Sequence, residues 1–241
     1  MIPKIIHFCW FGSNEKPENV ENYIKSWKNK LPDYEIIEWN ENNFDINICD
    51  YTREAYKAKK YAFVSDYARL YALNKYGGIY LDTDVEIVKS FSPLLDKADI
   101  IFGFEEFERV ATSTIISRKD SLLLRRLIEQ YHKRKFFLDD GEDHTTNVET
   151  ITKYLVANGL NENGLYQELY VENEKLVILN KESFSPINYS NLKDNRSRDT
   201  YAIHHFEQSW STNFGSLKKK AKNIIISLIG VKFYEKVRKL I

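Results

Sequence analysis

Asp82 and Asp84 flank a single residue, Thr83, directly after the short apolar run 79–81. Carboxylates one residue apart can approach one divalent ion if the chain leaves regular strand pairing there. Oxygen-only ligation suits Mg²⁺ or Mn²⁺, which keep open positions for substrate phosphate oxygens. A bare Asp-x-Asp also describes two solvated turn carboxylates. Here, however, it follows Gly77-Gly78 and an apolar strand rather than lying in a polar loop. A calcium EF-hand loop starting at Asp82 is excluded, because its sixth position is Ile87 instead of Gly and its twelfth is Pro93 instead of Glu.

Other groups can join this chemistry. Asp66 and Arg69 are three residues apart, on one side of the helix that leads into the carboxylate strand. An ordinary surface ion pair at that spacing is worth only about 0.3 kcal/mol and needs no function. Residues 204–210 read His-His-Phe-Glu-Gln-Ser-Trp, which puts two imidazoles, a carboxylate, a hydroxyl and an indole together. If the strand before them continues, His204 and His205 point to opposite faces. Asp140 and Asn147 fall in 138–147, where contact with a sugar or acceptor and a helix N-cap with an acidic first turn are equally good explanations.

These residues need elements to hold them. Residues 5–11 are an apolar run ending at Gly12, the pattern of a buried strand and a turn. Val20, Tyr23, Ile24 and Trp27 give 17–30 helical spacing, and Pro32 stops it. With a strand at 34–39 this makes a βαβ opening. Helices are predicted over 52–60 and 63–76, the second ending at Gly77-Gly78, where glycine can take a left-handed cap. Strands follow at 79–81 and 85–88, then at 100–104, 110–117, 169–171, 176–179 and 201–206; further helices fall at 121–134 and 148–157. The alternation makes the chain α/β with a mixed sheet. Asp82 leaves a strand fed by a helix, where such folds place ligand sites.

With 241 residues, 43% of them hydrophobic, the chain suits one core, expected as a catalytic domain over 1–216. Lys+Arg and Asp+Glu are both 35, which argues against a nucleic-acid partner. That balance conceals a basic tail, 217–241, with eight basic residues against Glu235. Leu217, Ala221, Ile224, Ile225, Leu228, Phe233, Val237 and Leu240 give it an amphipathic helical pattern suited to an anionic membrane surface. Packing on the acidic body is the alternative. Cys9 and Cys49 are too few for a disulfide scaffold and point to a reducing compartment. Without a secretory pattern or a long apolar run, the expected location is cytoplasmic, peripheral on the inner face of the plasma membrane if the tail docks there.

Residues 63–84 combine Ser65-Asp66, Arg69, Tyr76-Gly-Gly and Tyr80-Leu-Asp-Thr-Asp84. This block resembles the Asp-x-Asp sugar-binding region of glycosyltransferase family 32, which includes capsular-polysaccharide transferases and Och-type mannosyltransferases. It is similar, more distantly, to the catalytic domain of the clostridial glucosylating toxins. The opening 3–12, Pro-Lys-Ile-Ile-His-Phe-Cys-Trp-Phe-Gly, resembles the family's first strand and base-binding turn.

The resemblance implies a GT-A fold with a Rossmann-like mixed central sheet flanked by helices. It implies a nucleotide-diphosphate-sugar donor, Mn²⁺ or Mg²⁺, and retention of anomeric configuration. It favours a UDP-hexose over a GDP-sugar, with a glycan or lipid-linked oligosaccharide acceptor in capsule or surface polysaccharide synthesis. By the same resemblance Trp10 stacks on the base, a core tryptophan being the plainer alternative. Ser65, Asp66 and Arg69 contact donor ribose, sugar or phosphate, and Tyr80 is the aromatic before the motif. Asp82, Asp84 and a neutral His205 ligate the metal. Trp210 donates its N–H to the diphosphate, with Ser209 and Glu207 nearby. One departure is that relatives carry Gly-Pro where this chain has Thr146-Asn147-Val148, which leaves Asp140 and Asn147 open. Two alternatives remain: a non-catalytic nucleotide-sugar-binding module, and a Mg²⁺-dependent phosphohydrolase of the haloacid-dehalogenase type. The latter expects Thr or Val where this chain has Glu86.

Overall fold

The computed structural model describes residues 1–188 and 193–207. Ser209, Trp210 and the tail 217–241 lie outside the described residues. The elements are β1 (Ile5–Cys9), α1 (Glu18–Lys30), β2 (Glu35–Trp39), α2 (Asp50–Lys57), α3 (Tyr61–Tyr76), β3 (Gly78–Leu81), β4 (Val85–Ile87), β5 (Ile100–Phe104) and β6 (Val110–Ser117). They continue with α4 (Leu122–Tyr131), β7 (Phe137–Leu138), β8 (Gly141–Glu142), α5 (Asn147–Ala157), β9 (Gln167–Val171), β10 (Glu174–Leu179), α6 (Lys181–Phe184) and β11 (Ala202–His204).

Seven strands form one mixed sheet in the order β2-β1-β3-β6-β5-β10-β9. β1 is parallel to β2 and β3, β6 is antiparallel to both β3 and β5, and β10 returns parallel to β5. The inner strands β3 and β5 are apolar throughout because both faces are covered. Along β3, Ile79 and Leu81 pack on one face with Trp27 of α1, while Tyr80 packs on the other with α3 and α4. β1 divides likewise, Ile6 and Phe8 against Cys9. The expected strand 85–88 forms, but not in this sheet. β4 peels away and pairs antiparallel with β11, His204 opposite Val85, which carries the late histidines to the Asp-x-Asp.

Gly77 ends α3 at φ 68°, ψ −174°, a glycine conformation that differs from the expected left-handed helical cap. Gly78, at φ 109°, lies against the Ile5 carbonyl, and a Cβ there would collide with it. This close approach lets β3 enter the sheet beside β1. Cys9 and Cys49 are buried and unpaired, and among the described residues no helix is long and apolar enough to cross a membrane.

His7 on β1 is fully buried, and its two ring nitrogens are both used. Nε2 lies 2.8 Å from the Gly77 carbonyl, and Nδ1 accepts from Trp39 Nε1 at 3.1 Å. Both contacts together require the neutral ring, and burial pushes its pKa down to about 4, the Gly77 carbonyl opposing only in part. The folded chain therefore binds fewer protons here than the unfolded chain, whose histidine titrates near 6.5. The resulting stabilisation is complete above about pH 6.5, falls as pH falls, and is gone near pH 4. In urea unfolding, the stability gap between wild type and His7→Gln should narrow by about 2 kcal/mol between pH 7.5 and 5. A gap independent of pH contradicts this assignment.

Candidate active site

β1, β3 and β5 end at one edge of the sheet, where a cavity of about 660 Å³ opens. Trp10, Ser65, Asp66, Arg69, Tyr80, Asp82, Asp84 and His204 all line it. Asp82 leaves β3 by donating its N–H to the Ser113 carbonyl of β6 at 2.8 Å, and a turn then closes from Val85 N to Asp82 O at 3.1 Å. That turn brings the two aspartates out of strand alternation.

Arg69 organises the floor. It is only 5% exposed, and its Nη2 lies 3.0 Å from Asp66 Oδ1 and 3.3 Å from Asp82 Oδ1. Nη1 donates to the Thr112 carbonyl at 2.8 Å, Nε donates to the Ser65 carbonyl, and the guanidinium stacks 4.6 Å from the Tyr80 ring centre. The Asp66–Arg69 pair is thus a buried bridge to the motif, not a surface ion pair. Burial and neighbouring Asp82 raise the Asp66 pKa against the pull of Arg69. For Arg69, burial alone would lower the pKa, but the charges around it, Asp82 first, raise it. Tyr80 donates its hydroxyl to Asp82 Oδ1 at 2.9 Å, and Ser65 donates to Tyr61 O.

Asp84 is held by the β11 strap. The His205 N–H donates to its carbonyl at 3.0 Å and the Glu207 N–H to its Oδ2 at 2.8 Å, while His204 Nε2 lies 3.4 Å from Oδ1. Burial would raise the Asp84 pKa, but His204 and the Glu207 N–H bring it down to about 2. Conversely, burial would lower that of His204, and the Asp84, Asp82 and Glu105 charges raise it. Such a pocket is rich in negative charge and short of a cation.

Asp82, Asp84 and His204 each offer a ligand atom, all within 4.8 Å of one another. His204 Nδ1 is buried without a hydrogen-bond partner among the described residues. Two carboxylates and one imidazole, whose Nδ1 is left without a partner, fit Mn²⁺ or Mg²⁺.

His205, expected as the ligand, is not in this group. Its Nε2 lies 3.0 Å from Glu86 Oε2, and its ring stacks on Tyr23 of α1. β11 does alternate its faces as expected, but its register with β4 turns the His204 face to the aspartates. Glu207, expected near phosphate, is instead clasped by Tyr23 Oη at 2.6 Å and by Asn19 Nδ2.

Trp10 is half-buried at the cavity mouth rather than sealed in the core; its Nε1 donates to Asn14 O at 2.7 Å. Gly12 in the same turn faces the Tyr61 ring, with no room for a Cβ. Asp140 is exposed in the β7–β8 hairpin. Asn147 is fully buried: its backbone N–H donates to Asp66 Oδ2, its Nδ2 donates to Asp66 O, and it accepts from Tyr131 Oη. Thr146, not Asn147, caps α5. Asn147 therefore braces Asp66, a role that composition alone does not separate from a cap. Thr112, Ser113 and Glu105 also line the cavity and were not anticipated.

The fold is that of the GT-A class. The structure aligns with the PaToxG glycosyltransferase at a TM-score of 0.50 and 21% identity, over 66% of this chain and 71% of that one. Residues 17–101 match the family described as the glycosyltransferase sugar-binding region containing the DXD motif, and the chain carries that region. It is 38% identical over 98 residues to inositol phosphoceramide mannosyltransferase 3 of Schizosaccharomyces pombe, covering 39% of this chain and 27% of that protein. It is also 33% identical over 116 residues to inositol phosphoceramide mannosyltransferase 1 of the same yeast, covering 44% and 35%. The chain thus spans only about a third, or less, of the length of these curated relatives.

Proposed function

We propose that this chain is a divalent-metal-dependent glycosyltransferase that moves a hexose from a nucleotide-diphosphate sugar to a hydroxyl of a glycan or lipid-linked acceptor. The observation that carries this is the meeting of Asp82, Asp84 and His204 at the floor of a cavity also lined by Asp66 and Arg69. Trp10 at the mouth suits a nucleobase. Asp66, held by Arg69 and Asn147, suits sugar hydroxyls.

Transfer breaks the donor bond from C1 to the diphosphate oxygen and forms one from C1 to the acceptor oxygen. The acceptor's proton passes to the departing diphosphate. A bound Mn²⁺ or Mg²⁺ supplies Lewis-acid stabilisation of the charge on that leaving group. Arg69 and the Tyr80 hydroxyl orient Asp82, and the backbone N–H of Glu207 keeps Asp84 ionised and oriented. Attack on the face the diphosphate leaves would retain the anomeric configuration.

UDP-hexose is the donor favoured by the sequence resemblance. The mannosyltransferase relatives make a nucleotide-linked mannose the competing donor. Capsule or surface-polysaccharide synthesis fits this reading, with 1–216 as the catalytic unit and the basic tail 217–241 meeting an anionic membrane. Thermal-shift measurements with Mn²⁺ and a panel of UDP- and GDP-sugars test it. One nucleotide sugar at a hundredfold its Kd should stabilise the fold by about 2.7 kcal/mol, and only with metal present. Phosphate release from a simple monoester, with no nucleotide-sugar binding, would replace this proposal with the phosphohydrolase.

A further inference from the structure

The donor reading leaves one wall of the cavity unused. Glu105 follows β5 directly and lines the same cavity as Asp82 and His204. Its backbone N–H goes to Arg109 O at 2.8 Å. Its carboxylate, by contrast, makes no hydrogen bond or ion pair among the described residues; the charges of His204 and Lys181 reach it only through space. Burial of this carboxyl, augmented by Asp82, pushes its pKa up to about 7. On neighbouring β6, Ser113 lines the cavity and is 2% exposed, and its hydroxyl has no hydrogen-bond partner among the described residues. Glu105 faces the cavity half-buried, without a hydrogen-bond partner among the described residues, and the buried Ser113 hydroxyl costs free energy until a ligand supplies its partner.

The missing partner is not a phosphate. Glu105 adds negative charge beside Asp82 and Asp84 with no cation of its own, and a second anion would be repelled. A carboxylate and a hydroxyl facing one cavity suit the O–H groups of a neutral sugar. Those could belong to the donor hexose or to the acceptor, and the order of the sheet separates the two. Along this edge the strands run β1, β3, β6, β5, placing Trp10, Asp82, Ser113 and Glu105 in that sequence. A donor reaching from Trp10 to the metal ligands occupies the β1–β3 half. Glu105 is two strands beyond Asp82, about 10 Å away across the sheet, on the side from which an acceptor must come.

We propose that Glu105, with Ser113 of the same cavity, recognises the acceptor: the carboxylate accepts a hydrogen bond from a hydroxyl of a neutral, polyhydroxylated acceptor and orients it toward the transferring carbon. This rests on the glycosyltransferase reading of the site.

The test uses the full chain with Mn²⁺, the donor found by the nucleotide-sugar panel, and neutral methyl hexosides as probe acceptors. Donor Kd and the half-saturating methyl hexoside concentration are measured for wild type, Glu105→Gln and Ser113→Ala. Glu105→Gln, nearly isosteric, should raise the acceptor half-saturation about tenfold or more and leave donor Kd within about twofold; Ser113→Ala should raise it about fivefold. A donor Kd weakened tenfold with acceptor saturation unchanged would assign these groups to the donor and overturn the proposal. So would no change in either quantity, or no engagement of any methyl hexoside by a wild type that binds donor. Absence of nucleotide-sugar binding by wild type is a distinct result, and it removes the glycosyltransferase reading together with this one.

Discussion

Asp84→Asn loses metal-dependent turnover, with kcat/KM falling on the order of a thousandfold, while Tm falls by only about 5 °C. The reason lies in what holds Asp84. Its carboxylate is ionised down to about pH 2, and it accepts from the Glu207 N–H and faces His204. An amide keeps the shape and the acceptor for Glu207 but removes the charge on which a cation depends. Because the fold favours that charge through His204 and the Glu207 N–H, its loss also costs some stability, though far less than it costs turnover. Steady-state kinetics over a Mn²⁺ series, beside a melting curve, separates the two effects. Wild-type turnover in the variant would remove Asp84 from the metal shell.

Arg69→Met costs more of the fold, losing a large part of the stability as well as the activity. This guanidinium faces two carboxylates and donates to two backbone carbonyls while almost fully buried. Its removal leaves Asp66 and Asp82 without their counter-charge, at a cost of about 3–5 kcal/mol. For a chain of this size that lowers Tm by roughly 10 °C. Adding Asp66→Asn to Arg69→Met should recover part of the stability, since one stranded charge is gone, and none of the activity. A single variant that melts like wild type would show that the bridge carries little of the fold.

The two substitutions mark how far the sequence could be read. The strand 100–104 was legible to the residue because burial on both faces produces a continuous apolar run, and 110–117 because β-branched residues predominate from Val110 to Ile116. Asp66, Arg69, Asp82 and Asp84 were legible as a set because one helix and the strand it feeds must place them together. The late histidine was not. Choosing between His204 and His205 requires the register of β11 against β4, and that pairing joins residues more than a hundred positions apart. Asn147 looked like a cap or a ligand contact because both use the same residue type, and only the packing of α5 on α3 shows it bracing Asp66. Glu105 was hidden in an acidic stretch that reads as a solvated turn. The short hairpin β7–β8 and the helix α6 carry too few residues for a periodic signal.

The choice between the neighbouring histidines gives the most direct test of the site. Mn²⁺ binding in the presence of UDP or GDP, followed by electron paramagnetic resonance titration, should weaken at least tenfold in His204→Ala. In His205→Ala, where only the contacts with Glu86 and Tyr23 are lost, it should stay within about threefold of wild type. Loss of Mn²⁺ in His205→Ala with full binding in His204→Ala would contradict the assignment of Asp82, Asp84 and His204 as the metal site.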